Sequence, residues 1–148
     1  MTNREAPAMN FATAVRRCFS NYATFSGRAR RAEFWWFVLF NFAASFALSF
    51  VDLIFFGLGH GMMGGGQPLS GLFSLAVLLP SLAVTARRLH DTGKSGWWIL
   101  LILIPLVGFV VLIWWYATAS DEGPNDYGPD PIAGEDFTAT TVPRVPRR

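Results

Sequence analysis

Residues 34–56 read FWWFVLFNFAASFALSFVDLIFF, an apolar stretch in which Asp52 is the one charged side chain. As an α-helix this stretch would be about 34 Å long, which is enough to cross a ~30 Å hydrocarbon core with some tilt. The stretch therefore predicts a transmembrane helix.

Two more apolar stretches follow it. Residues 69–86 form a run near the short end of the length that a spanning helix needs. Residues 97–118 begin with two tryptophans and end with Trp114, Trp115 and Tyr116. On a straight helix Trp98 and Trp114 would lie about 24 Å apart, the separation of two interfacial aromatic belts. We therefore predict an all-α membrane protein with three transmembrane helices.

The composition supports this fold class. Of the 148 residues, 52% are hydrophobic and 15% are charged, whereas soluble proteins carry roughly 25% charged residues. A core of this size could not hide so much apolar surface from water. The single cysteine, Cys18, excludes an internal disulfide. No apolar run before Phe34 is long enough for a cleavable signal sequence, so we interpret the first span as a retained anchor.

An amphipathic helix is predicted before the first span, over residues 9–25. Its apolar positions recur at helical spacing, and Arg16 and Arg17 fall largely on another face. This pattern is typical of a helix that lies at the membrane surface. The alternative is an ordinary helix packed on the rest of the protein. The apolar positions are Phe11, Val15, Cys18, Phe19, Tyr22 and Phe25.

The predicted organisation has three parts. Residues 1–33 form a cytoplasmic N-terminal segment, residues 34–118 form the transmembrane domain, and residues 119–148 form a tail that is acidic and then disordered from about Ile132. Arg and Lys flank the membrane before the first span and in the connector 87–96, and the glycine-rich loop 57–68 has none. The positive-inside rule therefore places the N-terminus and this connector in the cytoplasm.

The side of the tail depends on the third span. Three full crossings place the tail outside. Pro105 and Gly108 leave an alternative, because they could break this span into a re-entrant hairpin that returns the tail to the cytoplasm.

Small and polar residues form a stripe on each of the first two spans. Such residues mark helix contacts in lipid, so we expect the two antiparallel stripes to exchange hydrogen bonds, with Asn41 at the depth of Ser81 and Thr85. Asp52 has two interpretations, a structural partner near the outer end of its span or part of an ion pathway; we favour the first. The stripes are Asn41, Ser45, Ser49 and Asp52 on the first span, and Ser70, Ser74, Ser81 and Thr85 on the second.

Candidate chemistry lies in the polar segments. The run 87–91, RRLHD, is typical of a helix end, and its alternative is a cytoplasmic site in which Asp91 orients His90. The glycines at 59, 61 and 64 have the spacing of a dinucleotide-binding motif, but neither the preceding strand nor the Rossmann unit that this motif needs is predicted here. His60, Met62 and Met63 are weak candidates for copper, and no pattern indicates zinc or catalysis by a nucleophilic serine. We expect no cofactor and no nucleic-acid partner.

Three polar blocks resemble the bacterial inner-membrane family called domain of unknown function 805. They are residues 22–35, residues 87–98 with the following Ile104, Pro105 and Gly108, and residues 125–131, so the likeness covers about 9–131. The resemblance implies a plasma-membrane protein with about three spans and no known activity. It favours the three blocks as a shared surface whose candidate site residues are Arg28, Arg31, Glu33, Arg87, Arg88, His90, Asp91, Asn125 and Asp130.

Three functions remain open. The first is a non-enzymatic protein that associates with the bilayer, with anionic lipids, with itself or with another membrane protein. The second is a small transport component, for which Asp52 and the serine stripes are the support. The third is a membrane-bound enzyme that uses the 87–91 segment.

Overall fold

A computed structural model describes residues 9–57 and 67–132. Within these ranges the fold is helical, as predicted, with four α-helices: α1 (Phe11–Ser20), α2 (Arg31–Asp52), α3 (Pro68–Asp91) and α4 (Val107–Ala117). A π-helical turn, Leu53–Gly57, extends α2, and a 3-10 helix, Gly96–Leu103, precedes α4. The predicted loop 57–68 and the predicted disordered tail fall largely outside the described residues.

Two helices are long and apolar enough to cross a bilayer, α2 with its π-helical turn and α3. They begin and end close to the predicted spans, except that α3 runs five residues beyond Ala86 to Asp91. Pro68 starts α3 at a position where its missing N–H is not needed, and Gly93, with φ of 67°, follows its end. Large apolar side chains project outward from both helices; Phe46 and Leu75 are each 69% exposed. Such surfaces are suited to lipid.

The prediction of one continuous span over 97–118 is wrong. The chain forms the 3-10 helix, turns at residues 104–106 and returns as α4. The Trp98 and Trp115 rings, near the two ends of the segment, are therefore in contact, with centroids 5.7 Å apart. Pro105 cannot donate a helical hydrogen bond, and the next residue, Leu106, has φ of 64° and ψ of −65°. The Val107 N–H closes this tight turn onto the Pro105 carbonyl at 2.8 Å.

This hairpin is too short to cross a bilayer. Eight residues of 3-10 helix rise about 16 Å, and the 11 residues of α4 rise about the same distance. Each limb therefore reaches roughly half of a ~30 Å hydrocarbon core. The hairpin has the dimensions of the re-entrant alternative, and its two ends lie close together.

Gly108 permits the close packing of the hairpin limbs. A Cβ at this position would lie 1.7 Å from the Leu101 carbonyl oxygen, which is backbone and cannot move aside cheaply. The glycine brings the first turn of α4 directly against the 3-10 helix. The closure thus requires a residue without a side chain.

Helix α1 is shorter than the predicted 9–25 and packs across α2. Asn10 accepts a hydrogen bond from the Thr13 N–H and so caps its start. Edge-to-face ring contacts join Phe11 to Trp36 and Phe19 to Phe37. The apolar face of α1 thus contacts the protein, while Arg16 is exposed.

The Tyr22 hydroxyl satisfies a backbone carbonyl of α3 that has no donor within the helix. Pro80 lies inside this helix and lacks the N–H that would normally bond to the Ala76 carbonyl. The Tyr22 hydroxyl donates to that carbonyl instead. An unsatisfied carbonyl is costly in lipid, so this contact also fixes the segment after α1 against α3.

Replacing Tyr22 by Phe is expected to lower the free energy of unfolding by about 1 kcal/mol, because the Ala76 carbonyl loses its partner. In a Pro80→Ala background the same change should have little effect, since an alanine at this position supplies its own N–H to that carbonyl. Unfolding in mixed detergent micelles measures this double-mutant cycle. An equal effect of Tyr22→Phe in both backgrounds would contradict the assignment.

Gly108→Ala is expected to destabilise the protein by about 1–3 kcal/mol, because the new methyl group overlaps the Leu101 carbonyl. Gly71→Ala in α3 is the matched control, since a Cβ there has nothing within 4 Å. The control should raise stability by roughly 0.5–1 kcal/mol. Thermal unfolding in detergent compares the two variants, and a tolerated Gly108→Ala would argue against the closed hairpin.

Candidate functional site

A buried carboxylate, Asp91, lies between two buried arginines at the end of α3. The Arg28 Nε atom is 3.0 Å from Asp91 Oδ1, and the Arg88 guanidinium contacts Asp91 Oδ2. The side chains of Arg88 and Asp91 have no solvent exposure, and that of Arg28 has almost none. A carboxylate buried in this way needs both positive partners, and each arginine needs further acceptors.

Backbone carbonyls after α4 supply acceptors for Arg88. Its Nε donates to the Tyr116 carbonyl at 3.1 Å, and its Nη2 donates to the Thr118 carbonyl. These two residues lie at the end of the hairpin. The C-terminal ends of α3 and α4 are therefore held together by one guanidinium group.

Arg28 binds the next stretch of the chain in the same manner. It donates to the Asp121 carbonyl at 2.5 Å and to the Gly123 carbonyl at 2.6 Å. The Asp121 N–H returns a hydrogen bond to the Asp91 carbonyl at 3.1 Å. Residues 118–123 consequently lie against the end of α3, and we call this segment with the following residues 124–132 the polar cap.

A second buried ion pair joins α2 to α3. Arg87 Nη1 lies 3.0 Å from Glu33 Oε1, and the Arg87 carbonyl accepts from the Ala29 N–H at 3.0 Å. Cys18 Sγ is 3.8 Å from the same Glu33 oxygen. Burial, and then the Glu33 charge, raise the pKa of the Cys18 thiol to about 12, so the thiol stays protonated at neutral pH.

His90 anchors the outer part of the polar cap. Its ring stacks on Tyr127, with centroids 4.0 Å apart and planes 4° apart. Its Nδ1 faces the Gly27 carbonyl at 3.2 Å, and its own carbonyl accepts from Asn125 Nδ2 at 2.9 Å. The carbonyl partner indicates that the proton resides on Nδ1, which leaves Nε2 free to accept.

Two further candidate site residues, Asp130 and Arg31, lie at the edge of this site. Asp130 is buried and accepts from the Gly123 and Ile132 N–H groups at 3.1 and 2.8 Å. Arg31 donates to the Ala117 carbonyl at 3.3 Å. The three sequence blocks thus meet at one end of the bundle. Sequence reasoning missed the carbonyl acceptors at 116–123, which no side-chain pattern reveals.

The polar stripes of α2 and α3 meet at two depths. Asn41 Nδ2 donates to Ser81 Oγ at 3.1 Å. At the other end Asp52 accepts from the Leu69 N–H at 3.1 Å, and from the Ser70 N–H and hydroxyl at 2.8 Å each. The Asp52 carboxylate therefore caps the start of α3, where a negative charge is favoured. This is the structural interpretation.

Other members of the stripes bond within their own helix. Ser74 donates to the Ser70 carbonyl, and Thr85 donates to the Ser81 carbonyl. Ser45 and Ser49 are half-buried on α2. The expected exchange between helices thus rests on Asn41 and Asp52.

The charged groups of this site hold parts of the protein together. Its buried carboxylates and guanidinium groups bind one another and the backbone, although Arg87 Nε and Nη2 have no partner in the structure. Among residues 9–57 and 67–132, no three His, Cys, Asp or Glu side chains converge as metal ligands. The copper candidates His60, Met62 and Met63 lie outside the described residues.

Comparisons with known proteins give a family. The family model described as "Protein of unknown function (DUF805)" matches residues 22–129. This range includes the first two polar blocks and residues 125–129 of the third, and it excludes α1. It confirms the resemblance found in the sequence. No solved structure matches the chain significantly.

Two of three curated relatives are inner membrane proteins by name. The inner membrane protein YhaH of Escherichia coli (strain K12) is 43% identical over 115 residues, which cover 78% of this chain and 93% of the relative. The inner membrane protein YhaI of the same strain is 44% identical over 115 residues, which cover 77% and 91%. The uncharacterized protein YiiR is 35% identical over 82 residues, which cover 55% of this chain and 50% of that protein.

Replacing Asp91 by Ala is expected to destabilise the protein by about 3–5 kcal/mol, because it leaves Arg28 and Arg88 buried without their carboxylate. Asp126→Ala is the control, since Asp126 belongs to the same polar cap and is exposed. Denaturation in mixed micelles should show a large loss for the first variant and none for the second. Similar stability for both would mean that the Asp91 ion pairs contribute little.

Proposed function

We propose, from the premise that this chain belongs to the DUF805 family of membrane proteins, that it acts by association at the cytoplasmic face of the inner membrane. In this proposal α2 and α3 cross the bilayer and the hairpin enters it from the cytoplasm and returns. The polar cap is then a cytoplasmic surface. The relatives named as inner membrane proteins support the membrane placement.

The observation that carries the proposal is the contact between Arg88 and the end of the hairpin. Arg88 lies at the end of α3, and it binds the carbonyls of Tyr116 and Thr118. The 3-10 helix starts only a few residues after the same α3 end. A segment that starts and finishes beside one helix end does not cross the membrane. The basic residues around that end favour the cytoplasm by the positive-inside rule.

Association is better supported than catalysis. An enzyme that used the 87–91 segment would need groups free to meet a substrate, whereas Arg88 and Asp91 are buried and bound to other parts of the chain. Large apolar surfaces on α2, α3 and the hairpin instead offer contact to lipid or to other helices.

Transport is the weaker alternative. Asp52 was its main support, and this carboxylate is buried and bonded to the first residues of α3. Two crossing helices and a half-depth hairpin also enclose little space for a pathway. A transport role would require several copies of the chain.

Cysteine labelling in cells tests the topology. In a Cys18→Ala background, Gln67→Cys marks the start of α3 and Pro129→Cys marks the polar cap; both positions are exposed. A membrane-impermeant maleimide is expected to label position 67 in intact cells and position 129 only after permeabilisation, because the two sites lie on opposite sides of the membrane. Mass shift of the purified protein measures the labelling.

Labelling of both positions in intact cells would place the polar cap outside and overturn the proposed arrangement. The two variants serve as controls for each other, since they share the background and the reagent. Photo-crosslinking from the exposed Asp126 position would then identify whether the polar cap contacts a second copy or another membrane protein.

A further inference from the structure

An apolar cavity lies between α3 and the 3-10 helix. Its volume is about 440 Å³, within the range typical of small-molecule sites. Leu82, Ala86 and His90 line it from α3, at the spacing of four residues that places side chains on one helix face. Gly96 and Ile99 line it from the 3-10 helix, in which residues three apart share a face.

His90 gives one end of this cavity a hydrogen-bond acceptor. Its Nδ1 faces the Gly27 carbonyl and carries the proton, so the Nε2 lone pair is available. A Cβ built on Gly96 would lie 3.3 Å from Nε2, so this nitrogen points toward the 3-10 helix that forms the other wall. Within residues 9–57 and 67–132, no donor reaches Nε2. An unpaired polar atom beside an apolar cavity favours an occupant that donates to it.

Ser95 offers a donor at the same end. Its Oγ atom accepts from the Trp97 N–H at the start of the 3-10 helix, and its own proton has no acceptor in the part of the chain that the structure describes. Ser95 directly precedes Gly96, the residue that lies against His90 Nε2. A hydroxyl group on the occupant can donate to the imidazole and accept from Ser95 with a single oxygen.

The rest of the lining favours an uncharged occupant. Apart from His90 and Ser95, the lining residues are hydrophobic or glycine; they are Phe25, Leu82, Ala86, Gly96, Trp97 and Ile99. A charged occupant would lose its hydration in this cavity without gaining a counter-charge.

An anion is disfavoured in particular at the polar end. The lone pair of His90 Nε2 would oppose it. A Cβ built on Gly93 would lie 3.0 Å from Asp121 Oδ2, so a carboxylate also borders the connector that leads into the 3-10 helix. No lysine or arginine of the described chain lines the cavity. The site therefore lacks the features that would hold an acidic head group.

The shape of the cavity sets the size of the apolar part of the occupant. From His90 to Leu82, α3 rises about 12 Å, and the lining of α3 beyond His90 is apolar. Phe25 and Trp97 line the cavity and are themselves 44% and 79% exposed, so the cavity is open to its surroundings beside them.

We propose that this cavity binds an uncharged membrane alcohol, a molecule with an apolar chain and one terminal hydroxyl group. The hydroxyl group donates to His90 Nε2, and the chain lies along α3 toward Leu82. A hydroxyl group supplies the missing donor without bringing a charge into the cavity, and the chain covers the apolar walls. Binding of a small molecule goes beyond association at the membrane face.

Photolabelling of the full-length protein in phosphatidylcholine nanodiscs tests the proposal. The probe is octan-1-ol with a diazirine on its chain, and mass spectrometry locates the adducts. We expect adducts at Leu82, Ala86 and Ile99 in severalfold excess over the more exposed positions Phe46 and Leu72. Adducts that simply follow exposure would mean general contact with the membrane and would overturn the proposal.

The methyl ether of the same probe is the matched control, because it has the same chain and cannot donate a hydrogen bond. Its adducts in the cavity should be severalfold fewer than those of the alcohol, while the two probes should label Phe46 equally. Equal labelling of the cavity by the alcohol and the ether would exclude the contact with His90.

Closing the polar end of the cavity provides the second arm. In Gly96→Ala the new methyl group would lie 3.2 Å from the Ala86 Cβ atom and 3.3 Å from His90 Nε2, so it occupies the space that the hydroxyl group needs. Cavity adducts of the alcohol should fall severalfold. Gly71→Ala, whose Cβ meets open space, should leave them unchanged. Undiminished cavity labelling in Gly96→Ala would contradict the proposed position of the hydroxyl group.

Nitrogen NMR in detergent micelles reads the same contact without altering the cavity. The chain has two histidines, and His60→Gln leaves His90 as the one imidazole signal. Octan-1-ol is expected to move the Nε2 resonance to lower frequency, because a nitrogen that accepts a hydrogen bond becomes more shielded, whereas methyl octyl ether should not. An Nε2 resonance that stays in place at saturating octan-1-ol would refute the alcohol site.

The alcohol site and the proposed topology can fail separately. The cavity is formed by α3, the 3-10 helix and Phe25, whichever side of the membrane the polar cap occupies. Cysteine labelling reports that side whether or not an alcohol is bound. Unselective photolabelling combined with a cytoplasmic polar cap would therefore retain the proposed function and remove the alcohol site alone.

Discussion

Neutralisation of buried charge at one end of the bundle is the constraint on which this structure depends. Asp91 is fully buried between Arg28 and Arg88, and a charge removed from water requires both counter-charge and hydrogen bonds. Asp91 supplies the counter-charge to both arginines. Backbone carbonyls within residues 116–123 accept their further hydrogen bonds. The position of the hairpin, the course of the polar cap and the meeting of the three sequence blocks all follow from this arrangement.

The sequence was sufficient for the features that depend on apolar length. For the first two spans, most of the predicted ends lie within a few residues of the helix ends in the structure. This agreement arises because a lipid-facing helix is largely apolar along its length. Asn41 and Asp52 were also assigned to the contact with α3, since polar side chains in lipid need partners. Asp52 shows how specific such a partner can be. It binds two N–H groups that every helix leaves unsatisfied at its start.

The third span could not be predicted from composition, because an apolar segment of the right length can cross or return. Whether this segment continues or turns back depends on three neighbouring residues. Pro105 interrupts the hydrogen-bond pattern, Leu106 adopts a positive φ, and Gly108 allows the limbs to touch. In the proposed re-entrant placement, the aromatic residues at both ends of this segment would lie at one membrane interface rather than at two. The carbonyl acceptors of the polar cap were equally hidden, since every residue has a carbonyl.

The buried arginines precede in the chain the carbonyls that accept their hydrogen bonds, so the site assembles in a fixed order during synthesis. Arg28 is synthesised long before its acceptors Asp121 and Gly123, which lie more than 90 residues after it. Arg88 precedes its acceptors Tyr116 and Thr118 by 28 and 30 residues. Until those later residues emerge from the ribosome, the arginines have too few acceptors to leave water. In the proposed arrangement α2 and α3 can enter the bilayer early, but their ends beside these arginines must stay hydrated. The emergence of residues 116–123 is therefore the event that seals this face of the molecule.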